Sequence, residues 1–137
     1  MTHPFSRRDS LLHCENVELE AIAREAGTPV YVYSSAGILD RYRQYTAALE
    51  GIDARVCYAV KANGNLSVLR LLAQAGAGFD IVSGGELDRV LRAGGDPSRV
   101  VFAGVGKTRD ALEFARQSGI AAGNCAREAA IALLEAR

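Results

Sequence analysis

From Val56 onward, apolar strand-like stretches recur roughly every twenty residues, beginning near Val56, Phe79, Val100 and Ile120. Helical patterns fill the intervals: Leu66, Leu69, Leu72 and Ala73, then Leu87, Val90 and Leu91, then Leu112 and Ala115, then Ile131 and Leu134. Gly76, Gly94, Gly95 and Gly119 stand where helix C-caps belong, and Thr108 is placed as an N-cap. Strand and helix alternating at this period predict an α/β fold of parallel strands joined by right-handed crossovers. Spacing alone fits either an open doubly wound sheet or a (β/α)8 TIM barrel. A complete barrel takes about 250 residues. The 137 residues here hold at most four strand–helix units, so a barrel reading is a partial one, about half of the ring.

The segment before this rhythm reads differently. Leu19, Ile22, Ala23 and Ala26 keep helical spacing and are stopped by Gly27 and Pro29. Val30-Tyr31-Val32-Tyr33 then predicts a short strand, and a second amphipathic helix runs from Ser35 through Leu49 to Gly51. The expected organisation is an N-terminal preface over 1–33 and a partial β/α barrel over 34–137, made of the first four βα units.

Composition narrows the function classes. Apolar residues make up 49%, enough for a domain-sized core, and no run is long enough for a membrane span. Arg7 and Arg8 are not followed by an apolar segment, so no secretory signal is expected. Sixteen acids balance sixteen bases along the whole length, which argues against a nucleic-acid footprint. Cys14, Cys57 and Cys125 are far apart and His3 and His13 fall outside any ligand pattern, so no metal is expected. That cysteine usage suits a reducing compartment, with a cytoplasmic location as the expectation. Cys57, inside a strand, reads as a small buried hydrophobe.

Ligands of parallel α/β folds bind beyond the carboxyl ends of the strands. The first strand ends at Lys61-Ala62-Asn63-Gly64-Asn65, the second at Val82-Ser83-Gly84-Gly85-Glu86, the third at Gly104-Val105-Gly106-Lys107-Thr108. Lys61 and Lys107 are the only lysines; the other fourteen bases are arginines, which keep their charge and cannot form a Schiff base. A carbonyl cofactor would therefore need one of these two amines. Lys61, closing an apolar strand, is the candidate, either buried and deprotonated for that chemistry or snorkelling with its charge in water. Asp80 sits in an otherwise apolar strand next to the one bearing Lys61, and a buried carboxylate needs a partner. It can equally be solvated. Glu86 opens a helix, where the dipole favours an acid. The Gly104–Thr108 stretch lacks the gap a phosphate loop needs, so it reads as a tight turn into a helix.

Three blocks carry a resemblance: Tyr58-Ala59-Val60-Lys61-Ala62-Asn63, then Gly78-Phe79-Asp80-Ile81-Val82-Ser83-Gly84-Gly85-Glu86-Leu87, then Val101-Phe102-Ala103-Gly104-Val105-Gly106-Lys107-Thr108. With Leu12-His13-Cys14-Glu15 and Gly27-Thr28-Pro29-Val30-Tyr31-Val32-Tyr33 before them, they resemble the N-terminal part of the diaminopimelate decarboxylases. That family belongs to the alanine-racemase-like, fold-type III enzymes that use pyridoxal 5'-phosphate. The likeness covers about residues 10 to 120 in order and spacing. Ornithine and arginine decarboxylases are similar but more distant.

The resemblance implies an alanine-racemase-like barrel in which Lys61 carries the cofactor, Asp80 lies beside cofactor and lysine, and Glu86 stands at the rim of that site. It implies decarboxylation of meso-2,6-diaminopimelate to L-lysine, in lysine biosynthesis, by a homodimer acting on a small amino acid. Two departures qualify it. The family's histidine over the cofactor ring, phosphate loop and ring-nitrogen acid fall in later segments of its pattern, as do a cysteine and tyrosine of a following domain. And the fourth strand, Gly123-Asn124-Cys125-Ala126-Arg127, has lost the family's usual Phe-Asn-Val-Glu-Ser bulk. The expectation is a chain with little or no turnover by itself, the alternatives being a non-catalytic barrel fragment or a piece of an ornithine- or arginine-type decarboxylase. Unpaired strand edges invite such a fragment to self-associate.

Overall fold

A computed structural model describes residues 3–104 and 107–123 of the chain. They divide into two compact units, residues 1–47 and 48–137.

The first unit holds a three-stranded antiparallel sheet in the order β1 (Phe5–Arg8), β2 (Leu11–Cys14), β3 (Val17–Glu18). The hairpin between β1 and β2 turns through Asp9 and Ser10, both at positive φ (48° and 69°), the geometry of a two-residue primed turn. Helix α1 (Leu19–Ala26) follows directly, and α2 (Ser35–Ala48) closes the unit. Ser34 caps α2, its Oγ accepting the Gly37 N–H at 2.8 Å. The strand expected at Val30–Tyr33 does not form. Tyr31 is 86% exposed there, and among the described residues no neighbouring strand pairs with the segment. Aromatic and β-branched residues favour a strand only where a partner packs against them.

The second unit is the predicted strand–helix repeat. Strands β4 (Cys57–Ala59), β5 (Gly78–Ile81), β6 (Val100–Phe102) and β7 (Ala122–Gly123) form a parallel sheet in that order, joined through α3 (Leu66–Gln74), α4 (Gly84–Arg92) and α5 (Arg109–Gln117). Each helix has a side-chain N-cap, from Asn65, Ser83 and Thr108. At its C-terminal end α3 closes with Gly76 at φ 83°, where Gly76 N–H bonds Ala73 O and Ala77 N–H bonds Leu72 O, the crossed pattern that glycine permits. The helix pattern at Ile131 and Leu134, and the fourth strand beyond Gly123, lie outside the described residues.

Strand order decides between the two candidate topologies. A doubly wound sheet reverses its order at a switch point and takes helices on both faces. Here every strand lies beside its successor, so right-handed crossovers place all three helices on one side. Burial agrees. Phe79, Ile81, Val100 and Phe102 share one face of the sheet and are fully buried, together with Leu69, Leu87 and Val90 of the helices. Cys57, Ala59, Asp80 and Val101 share the other face and are only half-buried. A parallel sheet with helices outside and a separate inner face is part of a β/α barrel.

Candidate functional site at the strand ends

The inner face carries its chemistry at the carboxyl ends of β4 and β5. Parallel pairing sets Ala59 opposite Asp80 and Cys57 opposite Gly78, so Cys57, Ala59 and Asp80 look to the same side. After Ala59 the backbone leaves the ladder and winds into a 3-10 turn, Val60–Ala62. Val60 takes the buried position at 1% exposure and Lys61 comes out exposed. The apolar strand suggested that Lys61 could lie buried against the carboxylate of the next strand. The turn at Val60 overturns that: no hydrogen bond or ion pair engages Lys61 among the described residues. Its amine is open to whatever occupies the strand ends.

The loop after Lys61 is held by its own polar groups. Asn63 Oδ1 accepts the Asn65 N–H at 3.0 Å, and Asn65 Oδ1 accepts the Ser67 N–H at 2.8 Å to start α3. The Tyr58 hydroxyl donates to the Asn63 carbonyl at 3.3 Å.

Asp80 is half-buried, and its Oδ1 is wholly buried with no hydrogen-bond partner among the described residues. An orphaned buried carboxylate oxygen is costly, so it marks a place where another group belongs. Cys57 lies close enough to feel it. Burial, chiefly, raises the Cys57 thiol above its ordinary pKa, with the Asp80 charge adding to the rise and Arg55 opposing it. Cys57 is thus a half-buried thiol whose burial favours the protonated form.

Glu86 sits in the first turn of α4, and both its ends are committed. Its Oε2 accepts the Val82 N–H at 2.7 Å, while Ser83 Oγ accepts the Glu86 N–H at 3.2 Å. Ser83 is thus the N-cap, and Glu86 reaches past it to the residue before, although the Ser83-x-x-Glu86 spacing is that of a capping box. Lys107 folds back on its own loop, donating to Gly104 O at 2.5 Å with Nζ 5.3 Å from the centre of the Phe102 ring. Val105 and Gly106 of that loop lie outside the described residues. The structure thus brings Lys61, Asp80 and Glu86 to the ends of two adjacent strands without joining them to one another. No cluster of three metal-ligating side chains occurs among the described residues, and no helix there is long and apolar enough to cross a membrane.

An open amine and a carboxylate with one unpartnered oxygen thus stand at the ends of neighbouring strands of the barrel. A family model described as the pyridoxal binding domain of pyridoxal-dependent decarboxylases matches residues 35–137, and the chain belongs to that family. It is 60% identical over 116 residues to a diaminopimelate decarboxylase of Pseudomonas aeruginosa, covering 85% of this chain and 28% of that protein. Among solved structures it is similar to a protein of Aquifex aeolicus, with TM-score 0.88 and 45% identity over 96% of this chain and 32% of that one. A Helicobacter pylori diaminopimelate decarboxylase complexed with L-lysine superposes with TM-score 0.80 at 38% identity, over 85% of this chain and 30% of that one. The chain thus spans less than a third of the length of each of these relatives.

Proposed function

We propose that this chain is the lysine-bearing part of a diaminopimelate decarboxylase, which converts meso-2,6-diaminopimelate to L-lysine with pyridoxal 5'-phosphate. The carrying observation is the match of residues 35–137 to the pyridoxal binding domain, with Lys61 in the turn that ends β4, beside the strand that bears the orphaned Asp80 oxygen. The residues present fit the cofactor's need for an accessible primary amine, with an unpartnered carboxylate oxygen on the neighbouring strand. When bound, that group supplies the electron sink for breaking the carbon–carboxylate bond.

The residues divide the remaining work. Lys61 Nζ is the amine that would hold the cofactor at its aldehyde carbon. Asp80 Oδ1, buried and without a partner among the described residues, would accept a hydrogen bond from the bound group. Glu86 shapes the rim, since its carboxylate accepts the Val82 N–H and its own N–H is capped by Ser83 Oγ, which together hold the turn between β5 and α4. The names of the P. aeruginosa and H. pylori relatives support diaminopimelate as substrate. Cys14 and Cys57 are both free thiols, which supports a cytoplasmic location. A homodimer follows the family pattern.

The test uses the purified 137-residue chain. After incubation with pyridoxal phosphate and borohydride reduction, the pyridoxyl group should map to Lys61, with Lys107 as the internal comparison. A label found mainly on Lys107 would overturn the assignment. Lysine formation from diaminopimelate by this chain alone should fall far below ordinary enzyme turnover, roughly 1 per second or more.

A further inference from the structure

We infer that Arg89 is a positioning residue for Lys61, acting through the backbone of the loop between Lys61 and α3, and resting on the reading of Lys61 as the reactive amine. The Asn63–Asn65 and Asn65–Ser67 bonds shape the loop from within, and the Tyr58 hydroxyl ties Asn63 O to β4. None of these three bonds reaches α4. Arg89 links the loop to that helix. Its Nη1 donates to the Gly64 carbonyl at 3.3 Å across 25 residues of sequence, and its Cδ lies 3.6 Å from where a Gly64 Cβ would stand, so the stem packs on the glycine.

The origin of that tie is rigid. Arg89 sits between Leu87 and Val90, both fully buried, so its backbone is fixed by the core. One turn earlier, Glu86 and Ser83 lock the start of α4 to the end of β5. A continuous path therefore runs from β5, which carries Asp80, through Glu86 and α4 to Arg89, then to Gly64, three residues beyond Lys61. This path holds the amine's loop in register with the carboxylate's strand. Arg92, on the same helix, instead pairs with Asp88 at 3.7 Å, whereas no acid lies within ion-pair distance of Arg89 among the described residues. A guanidinium given to a carbonyl makes a charge-assisted bond of fixed direction, which suits holding a backbone.

The experiment compares the wild-type chain with Arg89→Leu and Arg89→Lys. With lysine isotope-labelled at Cε, the chain gives two NMR signals, one for each lysine, assigned with Lys107→Arg. In Arg89→Leu the Lys61 signal should shift and broaden while that of Lys107 stays in place. Borohydride-trapped pyridoxyl labelling of Lys61 should slow about tenfold, with labelling of Lys107 unchanged and Arg89→Lys recovering part of the rate. A general loss of structure would move both lysines together. An unaltered Lys61 signal and labelling rate in Arg89→Leu would overturn the inference. If Arg89→Leu fails to fold, Arg89→Lys decides: a Lys61 signal and rate equal to wild type count against Arg89, and an intermediate rate supports it. If the wild-type chain labels Lys61 no faster than Lys107, the proposed function fails, and the Lys61 signal still decides the role of Arg89.

Discussion

Glu86 turns its carboxylate back along the chain to accept the Val82 N–H at 2.7 Å, closing the turn that carries Ser83, Gly84 and Gly85. Removing that carboxylate leaves the Val82 N–H without its partner and loosens the first turn of α4. Glu86→Ala should therefore cost about 1–2 kcal/mol in urea unfolding. Glu86→Gln keeps an acceptor of the same reach and should cost less than half as much. Equal losses for the two variants would mean that the charge, not the cap, is what matters.

Asp80 presents the opposite case. Its Oδ1 is buried and unsatisfied, so the side chain weakens the chain that carries it. Asp80→Asn removes the charge without changing the shape and should stabilise the cofactor-free chain by about 1 kcal/mol. The same substitution should weaken pyridoxal phosphate binding in an absorbance titration. Stability and affinity moving in opposite directions is the pattern expected of a site residue. A loss of stability in Asp80→Asn would show that the carboxylate is already satisfied in solution.

In the first unit, Glu15 Oε1 accepts the Ala36 N–H at 2.9 Å and the hydroxyls of Ser34 at 2.8 Å and Ser35 at 3.1 Å. These bonds, that from Ala36 foremost, hold the Glu15 carboxyl below the ordinary carboxylate pKa. A depressed folded-state pKa stabilises the fold above the unfolded value, and that stabilisation is lost as pH falls through the folded value. Acidification from neutral pH through and below the ordinary carboxylate range should thus lower the amide-exchange protection factor, taken relative to the unstructured rate at each pH, at Ala36 and the start of α2. Glu15→Gln should remove most of that pH dependence. A protection factor at Ala36 that stays constant on acidification would exclude the ionised tie.

The repeat from Val56 onward was legible because helix-covered residues such as Phe79, Ile81 and Val100 print an apolar period on the chain. Spacing left the choice between barrel and open sheet open; the resemblance implied the barrel, and the strand order, which no local pattern records, bears it out. The hairpin at Asp9 and Ser10 was missed because neither residue is the glycine that usually signals a primed turn, and Ser6, Arg7 and Arg8 do not read as a strand. Val30–Tyr33 misled for the reverse reason, having strand-like residues without a partner. At the site, Lys61 and Asp80 could be placed at strand ends by position. The turn at Val60, which exposes Lys61, could not, because an apolar residue continues a strand or closes one equally well. Arg89 left no trace at all, since a side chain bonding a distant carbonyl needs no motif.

Two neighbouring glycines at the end of α4 separate backbone strain from lack of space. Gly94 has φ 85° and open space where a Cβ would go, so Gly94→Ala meets only the left-handed penalty, about 1 kcal/mol. Asparagine tolerates that conformation better, and Gly94→Asn should recover part of the loss. Gly95 has no positive φ, but a Cβ there would stand 2.5 Å from Val90 Cγ1 and 3.1 Å from Phe79 Cε2, both in the core. Gly95→Ala must push those side chains aside and should cost about 2–3 kcal/mol. Gly95→Asn, larger still, should be worse, not better. Denaturant midpoints for the four variants test both halves of the argument. Asparagine helping at Gly95, or failing to help at Gly94, would mean that the two glycines are needed for other reasons than these.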